Sequence, residues 1–213
     1  MERSKRAALI AIVGLAFFHE VGVAGLNLEA TQELFQQVTP LNLLLSAAVV
    51  GWFHRVWKVQ FAIWAFSIFW AGYLIEVLGV WTGYIFGIYS YGSALGPHIA
   101  RVPPLIGLNW LILTYSAGIA VMRVRGSIWL RSTLGAAMLT GLDVLMEQVA
   151  PRLDFWQFQD NVVPLQNYFA WFVIAWGMQY SFHSLDQEKR NAVAPAFFLI
   201  QVLFFLSNLV INL

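Results

Sequence analysis

Apolar residues in this chain come in long blocks rather than in strand-like alternation or a single helical stripe. Seven blocks approach the ~20 residues needed to cross ~30 Å of hydrocarbon at ~1.5 Å per residue. They cover residues 7–28, 40–56, 59–78, 103–122, 127–149, 164–184 and 192–212, the second being the shortest. Pro40, Pro103, Pro164 and Pro195 stand at or near the starts of four of them, where a missing backbone N–H costs nothing. The pattern predicts an all-α integral membrane protein. Residues 1–213 form a single transmembrane helical domain, a bundle of about seven helices, with no linker, low-complexity run or internal repeat.

Two connections depart from this pattern. Residues 79–102, GVWTGYIFGIYSYGSALGPHIARV, are too polar and broken for a span and too apolar for a free loop, which predicts an interfacial or re-entrant segment. Residues 150–163, APRLDFWQFQDNVV, repeat that character, with Trp156 and Phe158 among charges. Glycines 72, 79, 83 and 87 are expected to serve close packing and turns.

Composition agrees with a membrane protein and excludes several functions. The chain is 60% hydrophobic and only 11% charged, against about 25% charged in soluble domains. A net charge of +1 without a basic patch argues against a nucleic-acid partner. With no cysteine there is no thiol chemistry, and His19, His54, His98 and His183 lack the spacing of a metal site, so no metal is expected. A retinal Schiff base needs an intramembrane lysine, which the seventh block lacks.

The basic residues indicate orientation. Arg3, Lys5, Arg6, Arg55, Lys58, Arg123, Arg125, Arg131, Lys189 and Arg190 fall on one side of the alternating connections, and only Arg101 and Arg152 on the other. The positive-inside rule therefore puts the N-terminus in the cytoplasm and the C-terminus outside, in the cell's inner (cytoplasmic) membrane. The first block continues past His19 and Glu20 without an A-x-A-like site and is read as a retained helix rather than a signal peptide.

Four of the acidic residues, Glu20, Glu76, Asp143 and Glu147, fall within predicted spans, where ionisable groups are costly and mark function. Counted from the cytoplasmic entries at ~1.5 Å per residue, His19 and Glu20 lie ~20 Å across, Asp143 ~24 Å, Glu76 ~26 Å and Glu147 ~30 Å. Asn109 and Trp110 from the fourth block, and Asn167 and Trp171 from the sixth, reach a similar depth. Asp143 and Glu147, four apart, share a helix face. In a dry site such carboxyls do not all ionise. A protonated one beside an ionised one supplies the acid and base of proton-transfer chemistry, or else a proton relay in a transporter. Trp81, Tyr84, Tyr89 and Tyr91 lie just above this layer, suited to a long apolar ligand and to a positive charge forming on it.

These residues also carry a resemblance. The run from Glu76 to Trp110, EVLGVWTGYIFGIYSYGSALGPHIARVPPLIGLNW, followed by TGLDVLMEQVAP at 140–151 and VPLQNYFAWF at 163–172, resembles the membrane-bound carotenoid biosynthesis family that contains the CruF-type carotenoid 1,2-hydratases. The resemblance covers residues 72–184, about half the chain. It implies an integral membrane enzyme, embedded among lipids, that hydrates the terminal C1,C2 double bond of an acyclic or monocyclic carotenoid without a cofactor. The family pattern has a second Asp followed by Pro where this chain has Glu147 and Gln148, which keeps the carboxyl and changes its reach. On that chemistry Glu76 or Asp143 is the acid and Glu147 orients water. Asn109 and Asn167 hydrogen-bond the carboxyls or the water, and His19, Glu20 and the aromatic residues bind substrate. The alternatives are a carotenoid end-group cyclase or isomerase, or a carotenoid-binding or proton-coupled transport protein. The oligomeric state is left open.

Overall fold

The computed structural model describes residues 5–211, which contain seven α-helices. These are α1 (Lys5–Asn27), α2 (Gln32–Trp52), α3 (Val59–Thr82), α4 (Leu105–Val121), α5 (Ile128–Val149), α6 (Leu165–Ser184) and α7 (Ala194–Val210). The chain is an all-α integral membrane protein. Helices α1, α2 and α3 are long and apolar enough to cross a membrane by themselves, and α4 and α7 are shorter apolar helices of 17 residues. Helices α5 and α6 are less apolar because they carry Asp143, Glu147, Asn167 and Gln179, all turned inward and buried.

The helix boundaries follow local chemistry. Helix α3 runs four residues beyond its predicted end, to Thr82. There Gly83 adopts the left-handed conformation (φ 68°) and returns its N–H to the Gly79 carbonyl, a turn that favours glycine. Helix α5 begins at the Ser127 cap, whose hydroxyl accepts the Leu130 N–H. Helix α2 starts at Gln32 instead of Pro40, so Pro40 lies inside it. The preceding turn is polar (QELFQQ), which hid it from a search for apolar blocks.

Helix α5 packs most extensively on α6, and α3 on α4, with α1 and α7 closing the other side. The α3–α4 contact depends on two glycines. A Cβ on Gly72 would stand 2.5 Å from Trp110 Cβ, and one on Gly107 would stand 2.5 Å from the Phe69 carbonyl oxygen. Backbone cannot yield as a side-chain tip can, so Gly107→Ala is expected to push α3 from α4 and cost about 1–3 kcal/mol. Thermal unfolding in detergent, compared with Gly141→Ala, which meets nothing within 4 Å, checks this.

The two unusual connections meet each other. Tyr89–Tyr91 forms β1 and Trp156–Phe158 forms β2, paired antiparallel with Tyr89 opposite Phe158 and Tyr91 opposite Trp156. Strands of three residues are too short for alternation to show in a sequence. The pairing extends through Gly92 N–H to the Phe155 carbonyl (2.9 Å), and Asp154 Oδ2 accepts Ser93 N–H (2.7 Å) and Ser93 Oγ–H (2.6 Å). The expected interfacial segment is therefore one half of a cap. It lies over the end of the bundle where α3 and α5 finish and α4 and α6 begin.

Candidate active site

Under this cap four helix ends deliver polar side chains to one buried place. Glu76, in the last turns of α3, is 3% exposed and receives three hydrogen bonds. Trp110 Nε1–H donates to Oε1 (2.8 Å), while the hydroxyls of Tyr89 (2.5 Å) and Tyr91 (2.8 Å) donate to Oε2. Burial, and then the nearby Glu76 carboxylate, push both phenols well above their ordinary pKa. Both tyrosines therefore stay protonated and serve as donors. The Trp110 ring stacks on Trp171 of α6, centroids 4.0 Å apart and 21° between planes. That stack aims the indole N–H at Glu76.

The second acidic group is a pair on α5. Asn167 Nδ2 donates to Asp143 Oδ2 (2.9 Å) and to Glu147 Oε1 (3.2 Å). The two accepting oxygens are therefore no more than about 6 Å apart. Glu147 Oε2 is held by Trp156 Nε1–H from β2 at 2.9 Å. Asp143 is fully buried, and among the described residues its Oδ1 has no hydrogen-bond partner. Two carboxyls sharing one amide in a dry site are well placed to share one proton as well.

Two cavities adjoin these groups. One of about 20 Å³ is lined by Glu76, Glu147, Tyr89, Tyr91, Asn109 and Asn167 among others. It is the size of a single water, and its walls offer the several polar partners a buried water needs. The other, of about 270 Å³, is bounded chiefly by apolar side chains of α1, α2 and α7, including Leu26, Phe35, Phe204 and Phe205. Ile106, Asn109 and Trp156 line both, so the large apolar space abuts the small polar one. Phe18, Val21, Val38, Leu41 and Leu45 line the large cavity and are also exposed on the surface of α1 and α2. The opening thus faces the side of the bundle, where lipid lies.

Of the residues singled out in the sequence, Glu76, Asp143, Glu147, Tyr89, Tyr91, Asn109, Trp110, Asn167 and Trp171 converge here. Asp143 shares the Asn167 amide with Glu147 and lines neither cavity. His19 is buried but belongs to the large apolar cavity, not to the carboxyls. Three residues are not brought to the site. Glu20 is exposed on the outside of α1, one residue round the helix from His19. Tyr84 is 86% exposed, and Trp81 is 64% exposed, with its indole N–H on the Ala100 carbonyl and its ring under Arg101. Depth alone, the basis for including them, does not say which way a side chain turns.

Sequence reasoning missed Trp156 as a site residue, together with Phe86 and Phe158 of the small cavity. Its aromatic–polar surroundings were visible, but its approach to Glu147 depends on the β1–β2 pairing. It also missed Asn42 and Gln201, which line the large cavity. Among the described residues no group of three or more His, Cys, Asp or Glu is placed to hold a metal ion.

Fold and site together define a polyhelical membrane protein with a buried carboxyl cluster beside an apolar cavity open toward lipid. The chain belongs to the carotenoid biosynthesis protein family, whose model matches residues 38–213. It is similar to a bisanhydrobacterioruberin hydratase of Haloarcula japonica, 33% identical over 109 residues. That match covers 46% of this chain and 36% of the relative, so the chain spans about a third of the curated relative's length. No solved structure matches.

Proposed function

We propose that this protein is a carotenoid hydratase that adds water to the terminal C1,C2 double bond of an acyclic carotenoid end group by acid/base chemistry. The observation that carries the reading is the water-sized pocket lined by Glu76 and Glu147, which abuts an apolar cavity across Ile106, Asn109 and Trp156. The 270 Å³ apolar cavity takes the end of a polyene, and the rest of the molecule passes between α1 and α2 into the bilayer.

Glu147, sharing a proton with Asp143, protonates C2, and a tertiary cation forms at C1. Water in the small pocket attacks C1 and its leaving proton passes to Glu76, whose three donors hold it as an acceptor. The carbon gains a C–O bond, C2 gains a C–H bond, and one proton has moved from Glu147 to Glu76. A new water between the two carboxyls returns it. The Trp110–Trp171 stack and Trp156 give the cation aromatic neighbours. On this reading Glu147, backed by Asp143, is the acid and Glu76 the base, in place of the expectation from the resemblance that Glu76 or Asp143 is the acid and Glu147 orients water. Room for a water beside the reacting carbons favours hydration over cyclisation or isomerisation, which begin with the same protonation.

Expression in a host that accumulates lycopene or a γ-carotene-like pigment is expected to give 1-hydroxy-1,2-dihydro products, each heavier by one water in the mass spectrum. Unchanged pigments from membrane-inserted protein, with several acyclic substrates, would overturn the proposal. A rearranged pigment of unchanged mass would instead indicate a cyclase or isomerase.

The distribution of basic residues supports placing this site toward the outer leaflet. Ser93, in the cap, and Ser127, before α5, are both exposed, and the chain has no cysteine. A cysteine at Ser93 is expected to react with an impermeant thiol reagent in intact cells, and one at Ser127 is not. The reverse pattern inverts the orientation.

A further inference from the structure

At the end of the bundle opposite the cap, basic side chains gather where α5 begins and α6 ends. Arg131, in the first turn of α5, donates through Nη2 to the Gly126 carbonyl (3.1 Å), in the connection that also carries the exposed Arg123 and Arg125. Lys189, in the α6–α7 connection, donates through Nζ to the carbonyls of His183 (3.2 Å) and Leu185 and lies 5.7 Å from the centre of the Phe182 ring. Burial, and then the charge of Arg131, lower the pKa of Lys189, with Asp186 acting the other way. The two cations are therefore half-buried neighbours, each made more costly by the other. Arg131 also stands at the N-terminal end of α5, where the helix dipole favours an anion.

Among the described residues neither cation forms an ion pair. Glu188 is taken by Arg190 at 2.9 Å, and Asp186 is exposed. Five buried polar atoms here have no hydrogen-bond partner among the described residues. They are Arg131 Nε, both ring nitrogens of His183, which lies within the field of Arg131 and Lys189, and both amide atoms of Gln187, two residues from Lys189. Buried polar atoms are nearly always paired, and unpaired N–H groups beside two cations suit an anion.

The surroundings favour a lipid as its carrier. Trp129, in the first turn of α5, is exposed and packs on Trp176 and Tyr180 of α6, ring centroids 5.3 and 5.2 Å apart. Trp176 Nε1–H donates to Thr133 Oγ1 (3.2 Å). Aromatic rings with a polar edge take such places at the depth of lipid headgroups. We infer that Arg131 and Lys189 bind the phosphate group of an anionic phospholipid, whose acyl chains run over Trp129 and Trp176 along α5 and α6. The guanidinium and the ammonium both donate to phosphate oxygens, and a basic pocket between helix ends is the setting in which such headgroups are held. The site is separate from the carboxyls and does not depend on the reaction proposed above. A bound phosphate ties the start of α5 to the α6–α7 connection.

Native mass spectrometry of the purified protein in a neutral detergent, titrated with phosphatidylglycerol and with phosphatidylcholine, reads the bound lipid. At about fivefold for each cation near the headgroup, phosphatidylglycerol is expected to bind roughly 10- to 30-fold more tightly. Arg131→Gln and Lys189→Gln each keep an N–H donor for the carbonyls these residues bond. Each is expected to cut the preference about fivefold, while Arg6→Gln, at an exposed cation in the first turn of α1, leaves it within about twofold. Asp186→Asn removes the carboxylate that acts on Lys189 and is expected to raise the preference severalfold, a gain that misfolding does not give. Inorganic phosphate is expected to displace the lipid only at far higher concentration. Displacement at equal concentration assigns the site to the free ion and overturns the lipid as its occupant. Equal binding of the two lipids overturns the inference outright. So does a loss in Arg6→Gln as large as in the other two, which is the mark of diffuse surface attraction instead of a site.

Discussion

Replacing Glu147 with Gln is expected to lower formation of hydrated product by about 10²–10⁴-fold, the range a positioned proton donor contributes, while the pigment still binds. Gln keeps the length and volume of Glu, so the cavity keeps its shape, and its single carbonyl oxygen can accept from Trp156 or from Asn167 but not from both. What is lost is a proton acidic enough to reach carbon. Asp143→Asn is expected to give a smaller loss, because in the proposed reaction Asp143 acts through Glu147, and it lines neither cavity. Product quantified by mass in cells making an acyclic carotenoid, together with pigment co-purifying with each variant, checks both. Full product from Glu147→Gln would remove this residue from the reaction.

Glu76→Gln is expected to fail differently, and heavy water exposes the difference. If Glu76 accepts the proton of the attacking water, the variant still protonates C2 but captures the cation poorly. The cation then escapes by losing a proton from a methyl group on C1. Hydrated product is expected to fall by about 10²-fold or more, and the recovered hydrocarbon to be a double-bond isomer carrying deuterium at C2. Glu147→Gln, which cannot form the cation, gives neither product. A Glu76→Gln variant that loses hydration with no labelled isomer would reverse the two roles, making Glu76 the acid.

Much of this site can be read from the chain because a membrane imposes a ruler. At a fixed rise per residue, distance along a span converts to depth, so Glu76, Asp143, Glu147, Asn109 and Asn167 could be assigned to one layer before any contact was known. Azimuth is another matter. His19 and Glu20 are adjacent and equally deep, yet one is buried against Phe197 and Phe204 and the other exposed. In a helix apolar on every side, no amphipathic stripe marks the inner face. The same limit hid Asn42 and Gln201, single amides inside apolar blocks. Trp156 was hidden for another reason, since its place is set by strand pairing between connections some 65 residues apart, which leaves no local pattern.

The β1–β2 pair also bears on how the protein is made. Helices of a membrane bundle insert as separate stable units and associate afterwards, but Tyr89, Tyr91 and Trp156 reach the carboxyls only through the two connections that form the cap. Those connections flank α4 and α5, so both must be on the same side of the membrane before their strands can meet. The helices can therefore be in place while Glu76 and Glu147 still lack these partners. Completion of the site is a late event in biogenesis, and a nascent chain stalled after α5 would hold Asp143 and Glu147 without Trp156 and Asn167, the groups that orient them.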